Sequence, residues 1–189
     1  MKIKKIFLIS LMAFSLISGC AKEPSPAPPT QMEEPNPSDA TPDAVTTASI
    51  VDNAADFEKA VSNKGSWIIC LVKDITINKE LVLDGEFKNG KKDDEGKDII
   101  QRKIALYAQD ANRNITNRYT LTIPKLTINS PEASIQHGTF KGDIYVTAKN
   151  FKLIDTIVEG NVYFTNEDAK STFSMDENSK ITGVQKMAE

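Results

Sequence analysis

Histidine and cysteine are nearly absent from this chain: His137 stands alone, and Cys20 and Cys70 are the two cysteines among 189 residues. A structural zinc centre takes four ligands of these kinds, so none can be assembled, and no metal or other cofactor is expected. Arginine is equally scarce, confined to Arg102, Arg113 and Arg118. The 23 basic side chains are outnumbered by 26 acidic ones, which excludes the basic stripe that nucleic-acid binding requires. No apolar stretch reaches the roughly 20 residues of a membrane-spanning helix. Proline all but disappears after Pro42, with only Pro124 and Pro131 beyond it.

What is present begins with an ordered set of signals. Lys2, Lys4 and Lys5 precede a short apolar run at residues 6–17, and Ile17-Ser18-Gly19-Cys20 closes it with small residues directly before a cysteine. A short apolar core behind lysines and ahead of a small-residue cleavage point marks a signal peptide. This segment resembles the lipobox of bacterial lipoproteins. The resemblance implies removal of residues 1–19 and a diacylglycerol on the Cys20 thiol, so that membrane lipid is a partner. It implies a location at the bacterial cell membrane, lipid-anchored and facing outside the cytoplasm. Two or three acyl chains anchor stably where one holds weakly. Losing three lysines takes the net charge from −3 to about −6, so the body is not expected to cling electrostatically to an anionic bilayer. With Cys20 acylated, Cys70 has no disulfide partner. It lies in the apolar run at 67–72 and reads as a small buried hydrophobe, without the local positive charge that activates a thiol.

Residues 20–49 change character. Seven prolines lie among Ser, Thr, Asp, Glu and Ala, a composition that cannot bury enough apolar area to offset chain entropy. The stretch reads as a disordered tether after the lipidated cysteine, and at about 3.1 Å per residue it reaches on the order of 80 Å.

Residues 50–189 suit one domain with a sizeable core. A helix is expected over 53–64, capped by Asp52 or Asn53, with Ala54, Phe57, Ala60 and Val61 on one face and Gly65 as the stop. No helical period is evident beyond Gly65. Short runs follow at 67–72, 75–77, 81–83, 103–107, 119–123, 126–128, 144–146, 151–154 and 162–164, many alternating with the period of strands. The C-terminal part also repeats itself. Thr139-Phe140-Lys141-Gly142-Asp143-Ile144-Tyr145-Val146-Thr147 lies over Ile157-Val158-Glu159-Gly160-Asn161-Val162-Tyr163-Phe164-Thr165 at an offset of 18, Ile135 over Leu153, and a degenerate copy ends at Lys180-Ile181-Thr182-Gly183.

Repeated short strands that cannot bury their own apolar faces must stack on neighbours. The expected fold is therefore all-β, a parallel β-helix with the helix as an N-terminal cap. Parallel crossovers are overwhelmingly right-handed, which sets the expected hand. Ile144 and Val146 then stack inside with Val162 and Phe164, and Gly142 and Gly160 take turn conformations. The Ile75-Thr76-Ile77, Leu81-Val82-Leu83-Asp84-Gly85 and Gly-Asp/Asn-Ile/Val-Tyr phrases are similar to those of right-handed β-helix proteins of the pectin-lyase-like class, a likeness that carries a fold only. The rival architecture is an antiparallel sandwich.

Lyases of that class hold calcium on aspartates and use a basic residue, usually arginine, as the base. Here the acids crowd into residues 91–98 among lysines, a spacing unlike a calcium site, and read as a solvated loop. His137 has no serine spaced for a triad and reads as structural or surface. No catalytic residue is assigned. If Ile144 and Val146 point inward, Tyr145 and Tyr163 point out on successive coils, flanked by Thr147 and Thr165, with Thr127 one coil earlier. These form the candidate ligand-binding residues, an aromatic ladder that can take a sugar ring. The stretch from Arg102 to Arg118 is a candidate source of anion contacts. The expected function is a cell-surface, lipid-anchored, non-catalytic lipoprotein that binds or scaffolds envelope polysaccharide or a surface protein. A carbohydrate-active enzyme is the alternative, favoured if two carboxylates and an arginine converge in one groove. A structural envelope protein that pairs through its coil ends is the third.

Overall fold

Residues 48–189 are described in the computed structural model. The signal segment, Cys20 and the proline-rich stretch up to residue 47 lie outside the described residues. Helix α1 (Ala54–Val61) starts where the Asn53 side chain accepts the Asp56 N–H, with Asp56 in the first turn, an arrangement that satisfies an orphan donor and suits the helix dipole. It buries Phe57, Ala60 and Val61 and packs against strands Ser49–Val51, Ile68–Leu71 and Leu81–Leu83. The helix ends three residues earlier than expected, because Ser62 turns its N–H and hydroxyl back onto the Lys59 carbonyl. Gly65 is needed for closeness instead: a Cβ there would sit 2.0 Å from the Ala60 carbonyl oxygen.

Fourteen of the eighteen strands among the described residues form two sheets. The first is six-stranded, in the order Ser49–Val51, Ile68–Leu71, Arg102–Ala105, Ala133–Gln136, Lys152–Ile154, Ser174–Met175. The second is eight-stranded and built around the long strands Thr120–Ile128 and Thr139–Val146. Every pairing within these two sheets is parallel, unlike an antiparallel sandwich. From residue 68 onward the chain visits the sheets alternately. The fold is all-β with parallel sheets and few helices.

The repeat sets the register. Ile144 pairs with Val162, Tyr145 with Tyr163 and Val146 with Phe164, while Leu126 pairs with Ile144 on the other side. In the first sheet Ile69, Ile104, Ile135 and Leu153 stand in one row. These aliphatic rows are buried, and each fully buried side chain contributes about 1.5–3 kcal/mol.

Five further features depart from the sequence-based expectation. The runs at 119–123 and 126–128 form one strand, which passes Pro124 by a register shift between Thr122 and Lys125; proline has no ladder donor, so a bulge accommodates it. The charged loop is an antiparallel hairpin, Lys88–Lys92 with Asp98–Ile100. A second hairpin, Tyr107–Gln109 with Ile115–Arg118, follows the first sheet's third strand and was not foreseen. A second helix, α2 (Glu167–Thr172), is capped by Asn166 accepting the Ala169 N–H; fewer than two turns are too short for a readable period. Finally, Gly142 lies within a strand and Gly160 between two strands, where crowding by the adjacent backbone excludes a side chain. A Cβ on Gly142 would meet the Ile123 oxygen at 1.8 Å, and one on Gly160 the Gly142 oxygen at 2.0 Å.

Candidate functional site

The outward row of the second sheet runs Val82, Thr127, Tyr145, Tyr163, Lys186 across five strands. It faces out because Leu126, Ile128, Ile144, Val146, Val162 and Phe164, its neighbours in the pleat, are buried. The two tyrosine rings lie with centroids 4.8 Å apart and planes inclined by 37°. At that separation the two tilted rings are in contact, within the about 4.5–7 Å spacing of interacting aromatic pairs. The Lys125 ammonium lies 4.7 Å from the Tyr145 ring centre and the Lys186 ammonium 5.9 Å from that of Tyr163. The result is a bracketed stack of lysine, tyrosine, tyrosine and lysine. Both lysines also pair with exposed carboxylates, Lys125 with Glu80 at 3.1 Å and Lys186 with Glu189 at 2.7 Å.

The threonines of the expected site play a different part. Thr147 donates its hydroxyl to the Ile128 carbonyl at 2.7 Å, and Thr165 donates to that of Val146 at 3.3 Å. Their hydroxyl protons tie one strand end to the previous one, so a ligand finds chiefly acceptor lone pairs there.

A cluster that sequence reasoning did not assemble lies at the other end of the same sheet. Arg118 Nη2 donates to Asp155 Oδ2 at 2.5 Å, and His137 Nδ1 lies 3.0 Å from the same oxygen. The Tyr107 ring meets the His137 ring edge-on at 4.6 Å. The Asp155 N–H in turn donates to both oxygens of Asp176, whose carboxylate also accepts the Ser179 hydroxyl. His137 and Asp155 both have positive φ, 60° and 48°, an unusual conformation for residues with a side chain. The repeat held a usable signal, since Asp155 follows His137 by the same 18 positions that separate Tyr145 from Tyr163.

Hydrogen bonds from Arg118 and then His137 hold the Asp155 carboxyl below its usual range. A depressed folded pKa means the stabilisation is present at neutral pH and is lost as pH falls through the folded value, below about 4. Asp155→Asn is therefore expected to lower the urea midpoint at pH 7, with the gap to the unsubstituted protein narrowing toward about pH 3. Urea titrations at the two pH values measure this. A gap that stays constant would show that the carboxylate charge contributes nothing.

The anion-contact expectation for Arg102 is overturned. Its side chain is fully buried; it donates to the carbonyls of Ser66, Ala60 and Ser62 and lies 3.9 Å from the Phe87 ring centre. No face of it reaches solvent. Burial pushes the Cys70 thiol up, against a smaller opposing effect of Lys103, so it is not activated as a nucleophile. In the charged hairpin, Lys88 and Lys92 both pair with Asp98, and Asp93 accepts the Glu95 and Lys97 N–H groups. Among the described residues, no group of three or more His, Cys, Asp or Glu side chains gathers as metal ligands do. No described helix is long and apolar enough to cross a membrane. No protein-family model, curated protein or solved structure matches this chain.

Proposed function

We propose that this chain is a lipid-anchored bacterial cell-surface protein, held by an acylated Cys20. Its domain is a right-handed parallel β-helix that binds envelope polysaccharide without catalysis. The coil reading is supported by the parallel registers and by the alternation of the chain between two sheets from residue 68. Helix α1, packed on the first strands, fits an end cap that shields an open edge. The right-handed sense follows from the general preference of parallel crossovers.

The observation that carries the binding reading is the outward Tyr145–Tyr163 stack, 4.8 Å between ring centres. Tyr145 and Tyr163 are half-buried, and such rings on the outer side of a rigid sheet offer apolar surface and phenolic hydroxyls at low entropic cost. The bracketing lysines are held by exposed ion pairs and cation–π contacts, which are weak in water. A sugar ring can displace them and take their place over the aromatic face.

Arg118 with two carboxylates is the constellation that favours an enzyme, but its chemistry argues otherwise. A glycosidic general acid must remain protonated near neutral pH, which requires a raised pKa. Asp155 and Asp176 are both lowered, Asp155 chiefly by Arg118 and Asp176 chiefly by the Ser179 hydroxyl. Both Asp176 oxygens are already engaged by the Asp155 N–H.

A glycan panel probed with the chain from residue 20, carrying Cys20→Ser, tests the reading. The unsubstituted face is expected to retain at least one polysaccharide, and Tyr145→Ala with Tyr163→Ala to lose about tenfold or more in affinity, which corresponds to about 1.4 kcal/mol for the two rings together. Equal binding by the double variant, or no binding by either protein, overturns the reading.

A further inference from the structure

A recess of about 210 Å³ opens beside the Arg118–Asp155 pair, lined by Arg118, Gly138, Thr139, Asp155, Ile157 and Asn178. We propose that this recess is a second ligand site that takes one neutral sugar ring, an end or branch residue of the glycan that crosses the tyrosines. The proposal rests on the glycan-binding reading of Tyr145 and Tyr163 and extends it to a separate set of residues.

The chemistry of the lining selects the ligand. Arg118 and His137 both go to Asp155 Oδ2, which leaves Oδ1 to accept from a hydroxyl. The Thr139 hydroxyl and the Asn178 amide make no hydrogen bond to the described residues, so each can both donate and accept. Ile157, 42% exposed, supplies an apolar patch for the C–H face of a pyranose. Neighbouring hydroxyls on a ring need an acceptor beside a donor, and the recess offers both, with the acceptor held in place. The carboxylate is also prepositioned, clamped by Arg118 and His137 at its tip and by Asp176 through its backbone N–H, and such support is what a selective polar site requires.

Charge and size narrow the class. The Arg118 charge is already paired with Asp155 at 2.5 Å, so an anionic ligand would find an ionised carboxylate and no unpaired cation among the lining residues. The volume lies below the about 300–1,000 Å³ of pockets for drug-sized molecules, which suits a single ring. Thr139 opens the strand Thr139–Val146 and Tyr145 lies near its end. Thr139, Lys141 and Tyr145 point away from the buried Phe140, Ile144 and Val146, so the recess and the tyrosines lie on the outer side of two segments of one strand joined at Gly142, at most about 20 Å apart along the chain. A glycan chain laid along that strand would meet both.

The test is a titration of the Cys20→Ser chain with methyl β-glucoside, methyl β-galactoside, methyl α-mannoside and N-acetylglucosamine, followed by backbone amide NMR. At least one sugar is expected to shift the amides of Gly138, Thr139 and Asn178 saturably, with a Kd on the order of millimolar. Asn178→Ala and Thr139→Val are each expected to weaken it about fivefold, and Tyr145→Ala with Tyr163→Ala to leave it unchanged. If none of the four sugars shifts these amides, or if Asn178→Ala retains its native spectrum and binds equally well, the recess is not a sugar site. Polysaccharide retention by the same protein separates the two readings. Retention through the tyrosines with an unshifted recess sinks this proposal alone, whereas sugar binding in the recess without tyrosine-dependent retention sinks the ladder reading alone.

Discussion

Gly142→Ala is expected to destabilise the domain by about 3 kcal/mol or more, a fall in Tm of roughly 10 °C. Two independent effects combine. Its φ of +131° is one that side-chain-bearing residues rarely adopt, and a Cβ would stand 1.8 Å from the Ile123 oxygen. That oxygen belongs to the backbone of the neighbouring strand, so relief requires moving two strands apart rather than turning a side chain. Gly96 is the internal control, because it also has positive φ, at +81°, but nothing lies within 4 Å of an added Cβ. Gly96→Ala should cost about 1 kcal/mol. Denaturant unfolding of both variants checks the contrast, and similar midpoints would mean that the strands are not packed as closely as the structure places them.

Arg102→Ala is expected to destabilise by about 4 kcal/mol. The guanidinium donates to three carbonyls just beyond and within the last turn of α1, those of Ala60, Ser62 and Ser66. Removing it orphans the buried Ala60 and Ser66 carbonyls, each costing about 1–3 kcal/mol, while that of Ser62 keeps the Gly65 N–H, and leaves a void beside Phe87. Desolvation pulls the Arg102 pKa down to about 10 against a small opposing effect of Asp84, and the cation remains charged at neutral pH because carbonyl dipoles and the Phe87 ring take the place of water. Arg102→Lys should recover little, since one ammonium on a flexible stem cannot reproduce a planar fork reaching three acceptors. The readout is the unfolding midpoint together with amide exchange in α1. Protection in the helix should fall first, because the arginine ties its C-terminal end to the third strand of the first sheet. A Lys variant as stable as the parent would show that charge alone, not the fork, holds the helix.

Much of the second sheet was legible because a repeat writes neighbours in space as an offset in sequence. Ile144 opposite Val162 and Tyr145 opposite Tyr163 follow from it directly, as does the pairing of Asp143 with Asn161, whose N–H and side-chain amide both donate to Asp143 Oδ1. The Asn53 cap was equally readable, since capping is local chemistry. The two hairpins were not, because they interrupt the repeat and their strands obey no 18-residue spacing. Arg102 read as a surface cation, for burial of a charge depends on which carbonyls the fold gathers around it. The expected sugar platform also changed form. Alternation correctly placed both tyrosines outward, but only the rings' mutual distance and the reach of Lys125 and Lys186 showed that their faces are engaged.

The chain's own order of residues determined the class of structure, the registers of its aliphatic rows and the outward position of Tyr145 and Tyr163, because pleat and repeat are short-range periodicities. Tertiary structure alone decided the fate of the polar groups. Arg102 finds acceptors 36 to 42 positions away, and Arg118 finds Asp155 across 37. Hydrogen bonds and charges act over a few ångströms, and no local pattern records which distant groups the folded backbone will bring within that range.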